Sequence, residues 1–211
     1  MKKYMVKQIW GPTIEGEGKL AGTAVFFLRF EGCNVWDGRP ETKEESACPY
    51  CDTNFINGKE MTIDEIMSKF KNLLISYPNI KWVVISGGEP TLQLDKNLLF
   101  HFSLLGLNTS IESNGTQGND ALKHADVVTF SPKKSHIATS DYQVLKLLFP
   151  HPDKNLHPDN WNYLKKSGVE MYLQPVWDKD YKENLKECVN YIYRHPWWKL
   201  SVQVHKIIGV E

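Results

Sequence analysis

The sequence lacks the features that mark several classes of protein. Its 211 residues include only four cysteines, too few for the disulfide framework of a small secreted domain. The longest apolar run, residues 24–28, is far too short to span a membrane, and no signal peptide is expected. Lysine plus arginine and aspartate plus glutamate number 25 each, so no bulk positive charge favours nucleic acid. We therefore expect a cytoplasmic protein that binds neither nucleic acid nor a membrane.

Short apolar runs alternate along the chain with segments of helical periodicity. The apolar runs predict strands at 25–30, 82–86, 107–113, 127–130, 144–149, 170–174 and 200–205. Helices are expected after the capping box Thr62–Glu65, after Asp95 and along the apolar stripe that begins at Tyr181. Strand, helix and strand in succession predict an α/β fold with a parallel sheet, either open or part of a β/α barrel. Chemistry is then expected at the carboxyl ends of the strands.

Three of the four cysteines lie in a region without apolar periodicity, residues 32–58. Cys33, Cys48 and Cys51 have the spacing C-x14-C-x2-C, and the close pair can turn onto one metal. Three thiolates suit a four-iron cluster with one open iron, whereas structural zinc needs a fourth ligand from a histidine or Cys188. Cys188 falls in the apolar stripe of a predicted helix, which favours a buried core thiol. An iron–sulfur cluster, a zinc loop and a redox dithiol all remain open at this point.

Polar side chains follow four of the predicted strands. Two glycines and a carboxylate after the second strand suit a ligand that carries an ammonium group. Each polar group on its own is also consistent with a structural turn, and Lys133 with a solvated surface lysine. Together they predict the rim of one pocket. The residues are Ser86-Gly87-Gly88-Glu89-Pro90, Glu112-Ser113-Asn114, Ser131-Pro132-Lys133 and Gln174-Pro175.

These motifs together resemble those of the radical S-adenosylmethionine enzymes, and more closely the family of 7-carboxy-7-deazaguanine synthases. The resemblance covers residues 13–211, and the family accepts the long gap between the first two cysteines. Glu15 departs from the pattern because the family usually has glutamine there, and Asp178 stands one position late for the acidic residue that often closes its segment. The most specific motifs are Thr13-Ile14-Glu15-Gly16-Glu17-Gly18, Arg29, the cysteines followed by Asp52-Thr53, Gly87-Gly88-Glu89-Pro90, Ser131-Pro132-Lys133 and Val204-His205-Lys206.

The resemblance implies a fold, an activity and partners. The fold would be a partial (incomplete) β/α barrel of about six parallel strands, in one radical-SAM domain spanning residues 1–211, with a modified cluster-binding loop at about 32–58. The enzyme would be a carbon–nitrogen lyase that converts 6-carboxy-5,6,7,8-tetrahydropterin to 7-carboxy-7-deazaguanine, with hydrogen abstraction from C6, radical ring contraction and loss of ammonia. A flavodoxin or ferredoxin would donate the electron, and the chain would form a homodimer.

The resemblance also implies roles for individual residues. The cofactor radical would perform the catalytic step, and no side chain is assigned as catalytic. The 4Fe–4S cluster would be held by Cys33, Cys48 and Cys51, and Mg²⁺ by Thr53. S-adenosylmethionine would contact Tyr50, Cys51, Asp52, Gly88, Glu89, Glu112, Ser131, Pro132, Lys133, Gln174, Pro175, Val176 and Trp177. The pterin would contact Ile14, Glu15, Gly16, Arg29, Ser86, His205 and the terminal carboxylate of Glu211. The alternatives are another small radical-SAM enzyme, such as a glycyl-radical activase, and a zinc-stabilised binding module.

Overall fold

One mixed sheet organises the computed structural model, which describes residues 2–134 and 137–210. Its strands are β1 (Lys3–Ile14), β2 (Ala24–Phe30), β3 (Lys59–Thr62), β4 (Trp82–Gly87), β5 (Asn108–Ser113), β6 (Val127–Phe130), β7 (Val144–Phe149), β8 (Glu170–Pro175) and β9 (Trp198–Leu200). The α-helices are α1 (Ile63–Ser76), α2 (Lys96–Leu104), α3 (Tyr181–Arg194) and α4 (Val204–Ile208). No helix in the described part of the chain is both long and apolar enough to cross a membrane.

The sheet is open. Its strands lie in the order β3-β1-β2-β4-β5-β6-β7-β8-β9, so that β3 and β9 form the two edges. β1 is antiparallel to both β2 and β3. The parallel part of the sheet consists of β2, β4, β5, β6, β7, β8 and β9. It therefore has seven parallel strands, where about six were expected. The predicted partial β/α barrel is confirmed, and a two-stranded antiparallel extension is added at one side.

The two faces of the sheet differ in chemistry because side chains alternate along each strand. In β2, Phe26, Leu28 and Phe30 are fully buried in the core against the helices. The intervening Phe27 and Arg29 face the opposite side, where they line a cavity. One face of the sheet therefore holds α1, α2 and α3, and the other holds the candidate site.

Aromatic rings join the helices to the sheet in the first of two main apolar clusters. Phe70 of α1 meets Phe26 of β2 at 6.2 Å and Phe102 of α2 at 4.9 Å, both edge to face. The second cluster joins α3 to β7 and β8, and it contains the fully buried Cys188. The Cys188 thiol contacts the Phe149 carbonyl oxygen at 3.4 Å, so its interpretation as a core thiol is confirmed.

The predicted helix starts are confirmed by their caps. The Thr62 side chain accepts from the Glu65 amide, and the Glu65 carboxylate accepts from the Thr62 amide at 2.7 Å, so the capping box at α1 is complete. At α2, the Asp95 carboxylate accepts from the Leu98 amide at 2.9 Å. Such caps satisfy backbone N–H groups that have no partner inside the helix.

The strand predicted at 200–205 is wrong. β9 ends at Leu200, and the chain turns into α4 at Val204. The alternation of apolar and polar residues misleads here because Ser201 and Gln203, the polar members, are the ones that are buried. The hydroxyl of Ser201 donates to Gln174 at 3.0 Å, and the amide of Gln203 donates to Glu17 at 2.7 Å. Polar contacts therefore set the path of this segment.

Candidate functional site

A cavity of about 560 Å³ lies on the polar face of the sheet. Its wall combines strand residues with the loop at 31–58, the turn after β1 and α4. Most of the residues predicted for the site line it together: Ile14, Glu15, Gly16, Arg29, Cys33, Cys48, Tyr50, Cys51, Asp52, Thr53, Ser86, Gly88, Glu112, Ser131, Lys133, Gln174, Val176, Trp177 and His205. Three predicted residues, Glu89, Pro132 and Pro175, are buried outside the lining. Glu211 lies outside the described residues.

The turn after β4 packs closely on the cysteine loop. A Cβ atom at Gly88 would lie 2.0 Å from the Gly32 carbonyl oxygen and 2.7 Å from Cβ of Cys33. The Glu89 amide donates to the same Gly32 carbonyl at 2.8 Å. The close approach explains why Gly88 carries no side chain. It also brings bare backbone next to the first cysteine.

The three cysteines of the loop share the cavity and influence one another electrostatically. Burial raises the pKa of Cys33. The hydrogen bond between Cys48 and Cys51 raises the pKa of the first thiol and lowers that of the second to about 6. Thiolates are the ligands that iron–sulfur clusters use, so this donor set fits such a group.

Cys188 does not supply the fourth ligand that a zinc site in this loop would need. Among residues 2–134 and 137–210, no group of three or more His, Cys, Asp or Glu side chains, the three loop cysteines included, is gathered closely enough to hold a metal ion, so this finding does not separate zinc from an iron–sulfur cluster. Cys188, the fourth cysteine, lies in the core on the far face of the sheet. The three thiols that line the cavity therefore have the number expected for a cluster with one open iron.

Glu89 is saturated by donors from the protein. It is fully buried, and Oε1 accepts from the Thr91 hydroxyl at 2.6 Å and from the Ser113 hydroxyl at 2.8 Å. Oε2 accepts from the backbone N–H of Asn114 at 2.7 Å. Glu89 thus ties the turn after β4 to the end of β5, and in this arrangement the two glycines of the motif, Gly87 and Gly88, face the cavity.

Aromatic rings position Arg29 at another part of the wall. The rings of Trp10 and Phe27 stack with centroids 4.5 Å apart, and the Arg29 guanidinium lies 4.7 Å from the Trp10 centroid. A guanidinium that contacts an aromatic ring has less freedom to move, and its N–H groups form a planar fork. That geometry suits two parallel hydrogen bonds to a carboxylate.

The last helix packs on the turn that follows β1. The Val204 amide donates to the Gly16 carbonyl at 3.0 Å, and a Cβ atom at Gly16 would come within 1.8 Å of Nδ1 of His205. Burial lowers the pKa of His205, which favours a neutral ring. Beside it, Lys206 pairs with Asp52 and lies 5.3 Å from the Trp177 ring centroid, so α4 also contacts the cysteine loop.

Three carboxyl groups surround one buried ammonium group in the cavity wall. Nζ of Lys146 lies 2.5 Å from Glu17 and 3.0 Å from Glu112. The pKa of Lys146 is raised by these two carboxylates, although burial opposes its charge. Burial also works against the charge of Glu17, but Lys146 and Gln203 outweigh it and lower the Glu17 pKa to about 2. Burial together with the charges of Glu112 and Glu17 raises the Glu15 pKa to about 8.

Several wall residues were not predicted from the sequence, chiefly Trp10, Glu17, Phe27, Lys146, Gln203 and Lys206. A usable signal existed for Lys146, since it is the only charged residue in the apolar run 144–149. A charge inside such a run marks a strand position that faces something other than apolar core.

Comparison with known proteins gives one consistent family. The model of the radical SAM superfamily matches residues 45–170. The 7-carboxy-7-deazaguanine synthase of Caulobacter vibrioides is 35% identical over 98% of this chain and 99% of its own length. The synthase of Bordetella pertussis is 34% identical over the same shares.

Solved structures share the fold. The crystal structure of QueE from Escherichia coli has a TM-score of 0.71 at 19% identity, covering 95% of this chain and 94% of that one. Streptococcus suis SuiB bound to S-adenosylmethionine has a TM-score of 0.53 at 12% identity, covering 83% of this chain and 51% of that one. These likenesses concern the fold alone. The sequence identity over nearly the full length of both chains shows that this chain belongs to the 7-carboxy-7-deazaguanine synthase family of the radical SAM superfamily.

Proposed function

We propose that the protein converts 6-carboxy-5,6,7,8-tetrahydropterin to 7-carboxy-7-deazaguanine and ammonia. The observation that carries the proposal is that one cavity joins the three cysteines and the bare Gly88 turn to Arg29 and His205. Its volume of about 560 Å³ is within the ordinary range of small-molecule sites. A cofactor held by the cysteines and a substrate held by Arg29 would share that enclosed space.

A radical SAM enzyme uses a 4Fe–4S cluster and S-adenosylmethionine, and when bound here they would supply the radical chemistry needed at C6 of the pterin. Cys33, Cys48 and Cys51 would hold the cluster. Gly88 offers backbone to the methionine part of the cofactor, and Glu89 supports that turn from behind. The proposed nucleoside contacts are Tyr50, Asp52, Glu112, Ser131, Lys133, Gln174, Val176 and Trp177, with Pro132 and Pro175 supporting them from behind the wall.

The contribution of this chain is to fix the substrate. Arg29, pinned on Trp10, would bind the pterin carboxylate with two hydrogen bonds. Thr53 would place Mg²⁺, a hard cation that prefers oxygen ligands, against the same carboxylate. Two anchors on one carboxylate restrict the orientation of C6, and orientation of this kind accounts for a large share of the rate in enzymes. Ile14, Glu15, Gly16, Ser86, His205 and Glu211 complete the proposed substrate contacts.

The wider setting is also proposed from family membership. The electron would come from a flavodoxin or a ferredoxin, and the enzyme would act in the cytoplasm as a homodimer of one-domain chains. Sedimentation of the anaerobic protein tests the dimer, and reduction by each purified donor tests the electron source.

The proposed function is tested by anaerobic turnover of the cluster-loaded protein with S-adenosylmethionine, Mg²⁺ and the tetrahydropterin. We expect the ultraviolet spectrum of the deazapurine product and one ammonia for each product molecule. A brown protein that consumes no pterin would favour another radical SAM reaction. A colourless protein with stoichiometric zinc would overturn the proposal.

Paired cysteine variants test the assignment of the ligands. Cys48→Ala is expected to lose the cluster absorbance and the bound iron, while far-UV circular dichroism stays near that of the unmodified protein. Cys188→Ala is the matched control, since its thiol lies in the apolar core and not in the cavity. Equal iron in both variants would contradict the ligand set.

A further inference from the structure

The carboxyl groups around Lys146 outnumber the single positive charge of its ammonium group. Glu17 and Glu112 each contact its ammonium group, while among the described residues Glu15 forms no ion pair with it and interacts with it only electrostatically, at longer range. Side-chain exposure is 7% for Lys146, against 20% and 24% for Glu17 and Glu112. If all three carboxyl groups were ionised, three negative charges would surround one positive charge in a site with little water. Such a cluster retains a proton.

The position of the proton follows from the hydrogen bonds. Oε1 of Glu17 accepts from Gln203 at 2.7 Å and Oε2 accepts from Lys146, so both its oxygens favour the anion. Glu112 also accepts directly from Lys146 at 3.0 Å. Glu15 is 7% exposed, and its Oε1 accepts only from the Glu17 amide at 2.9 Å. Its Oε2 is buried without a hydrogen-bonding partner among the described residues.

We propose that Glu15 enters the reaction as a neutral carboxylic acid and recognises the pterin by donating a hydrogen bond to it. This inference rests on the proposed function, and it adds Lys146 as the positioning residue that pairs with Glu17 and Glu112 and leaves the proton on Glu15. A protonated carboxyl group has one O–H donor and one carbonyl acceptor, the same pair that a glutamine amide offers. The neutral acid therefore offers a hydrogen-bond donor that an ionised glutamate lacks.

Binding measurements across pH test the proposal. The probe is 6-carboxy-5,6,7,8-tetrahydropterin, added anaerobically to cluster-loaded protein without S-adenosylmethionine so that no turnover occurs. For the unmodified protein, Kd should rise about tenfold or more between pH 6.5 and 9.5 as the donor is lost. In Glu15→Gln, this part of the pH dependence should disappear.

The glutamine variant is the matched control because every other titrating group is shared. The charged groups that face this part of the cavity are Glu17, Glu112, Lys146, Arg29 and His205. Titration of any of them, or of the pterin itself, changes both proteins alike. Only the difference between the two pH profiles reports Glu15.

Infrared spectroscopy supplies a readout that needs no substrate. The cluster-loaded protein at pH 6.5 should show a carbonyl stretch of a protonated carboxylic acid that is lost in Glu15→Gln and lost on raising the pH to 9.5. In Lys146→Met the carboxyl groups lose their shared cation, and we expect additional protonated-carboxyl intensity.

The outcomes separate the inference from the proposed function. An infrared band that is present but no pterin binding at any pH would overturn the proposed function and leave the protonation intact. Pterin binding with identical pH profiles in the two proteins, or no band that depends on Glu15, would overturn the inference. A smaller pH effect in Glu15→Gln together with the band supports both.

Discussion

Replacing Glu15 with glutamine should raise the free energy of unfolding, and the gain should grow with pH. Glu15 is buried, and its pKa is raised from 4.5 to about 8. When folding raises the pKa of a carboxyl group, the protonated group contributes its full stability at pH values below the unfolded-state pKa. That stability is lost as the pH rises towards and through the folded-state pKa. The unfolded chain releases the proton at lower pH, so the folded protein carries an increasing cost above pH 4.5. Glutamine has no such cost.

The size of the effect follows from the same pKa. One pH unit corresponds to about 1.4 kcal/mol, so the span from 4.5 to 7 amounts to about 3 kcal/mol at pH 7. We expect little difference between the two proteins at pH 4.5 and the full difference above pH 8. The assay is urea unfolding of the cluster-loaded protein under anaerobic conditions, followed by far-UV circular dichroism at several pH values. A difference that does not change with pH would show that Glu15 is ionised in the folded state and would refute the reasoning.

Lys146→Met should lower the free energy of unfolding by about 3 kcal/mol, because two partly buried carboxylates lose their partner; Lys146→Met with Glu17→Gln should recover part of the loss in the same urea assay, and no recovery would contradict the pairing. Gly88→Ala should reduce bound iron per chain, since a Cβ atom there meets the neighbouring loop at 2.0 Å; full iron content would show that the loop yields at no cost. Thr53→Ala should lower kcat more than it weakens S-adenosylmethionine binding, and equal effects in steady-state kinetics and calorimetry would argue against a metal ligand.

Much of the candidate site could be predicted because the periodicity of apolar residues locates the strands, and the parallel topology brings their carboxyl ends together. Parallel strands place their carboxyl ends at one edge, so polar residues after separate strands meet whatever loops lie between them. Gly88, Glu112, Ser131 and Gln174 reach one cavity for this reason. The caps of α1 and α2 could also be predicted from the sequence, since each depends on residues within one helical turn of each other.

The remainder depends on contacts between distant parts of the chain. β1 was not predicted because its twelve residues mix exposed, intermediate and buried positions, and the register shifts near Gly11 and Pro12. Trp10 was missed with it. Gln203 was assigned to a strand by local alternation, whereas its position is set by Glu17, 186 residues earlier. A local pattern carries no information about a partner at that separation.

The wall that α4 adds to the cavity is joined differently from the sheet. Three hydrogen bonds connect it to the turn after β1: Gly18 to Ser201 at 2.9 Å, Gln203 to Glu17 at 2.7 Å and Val204 to Gly16 at 3.0 Å. Among the strands that the structure describes, no ladder joins these two segments, because β3 and β9 are the sheet edges. Breaking a few such bonds costs far less than unfolding the sheet. Mutations in these contacts between α4 and the turn after β1 can therefore change ligand affinity with little effect on global stability. The same number of lost hydrogen bonds in a strand ladder would be tolerated less well.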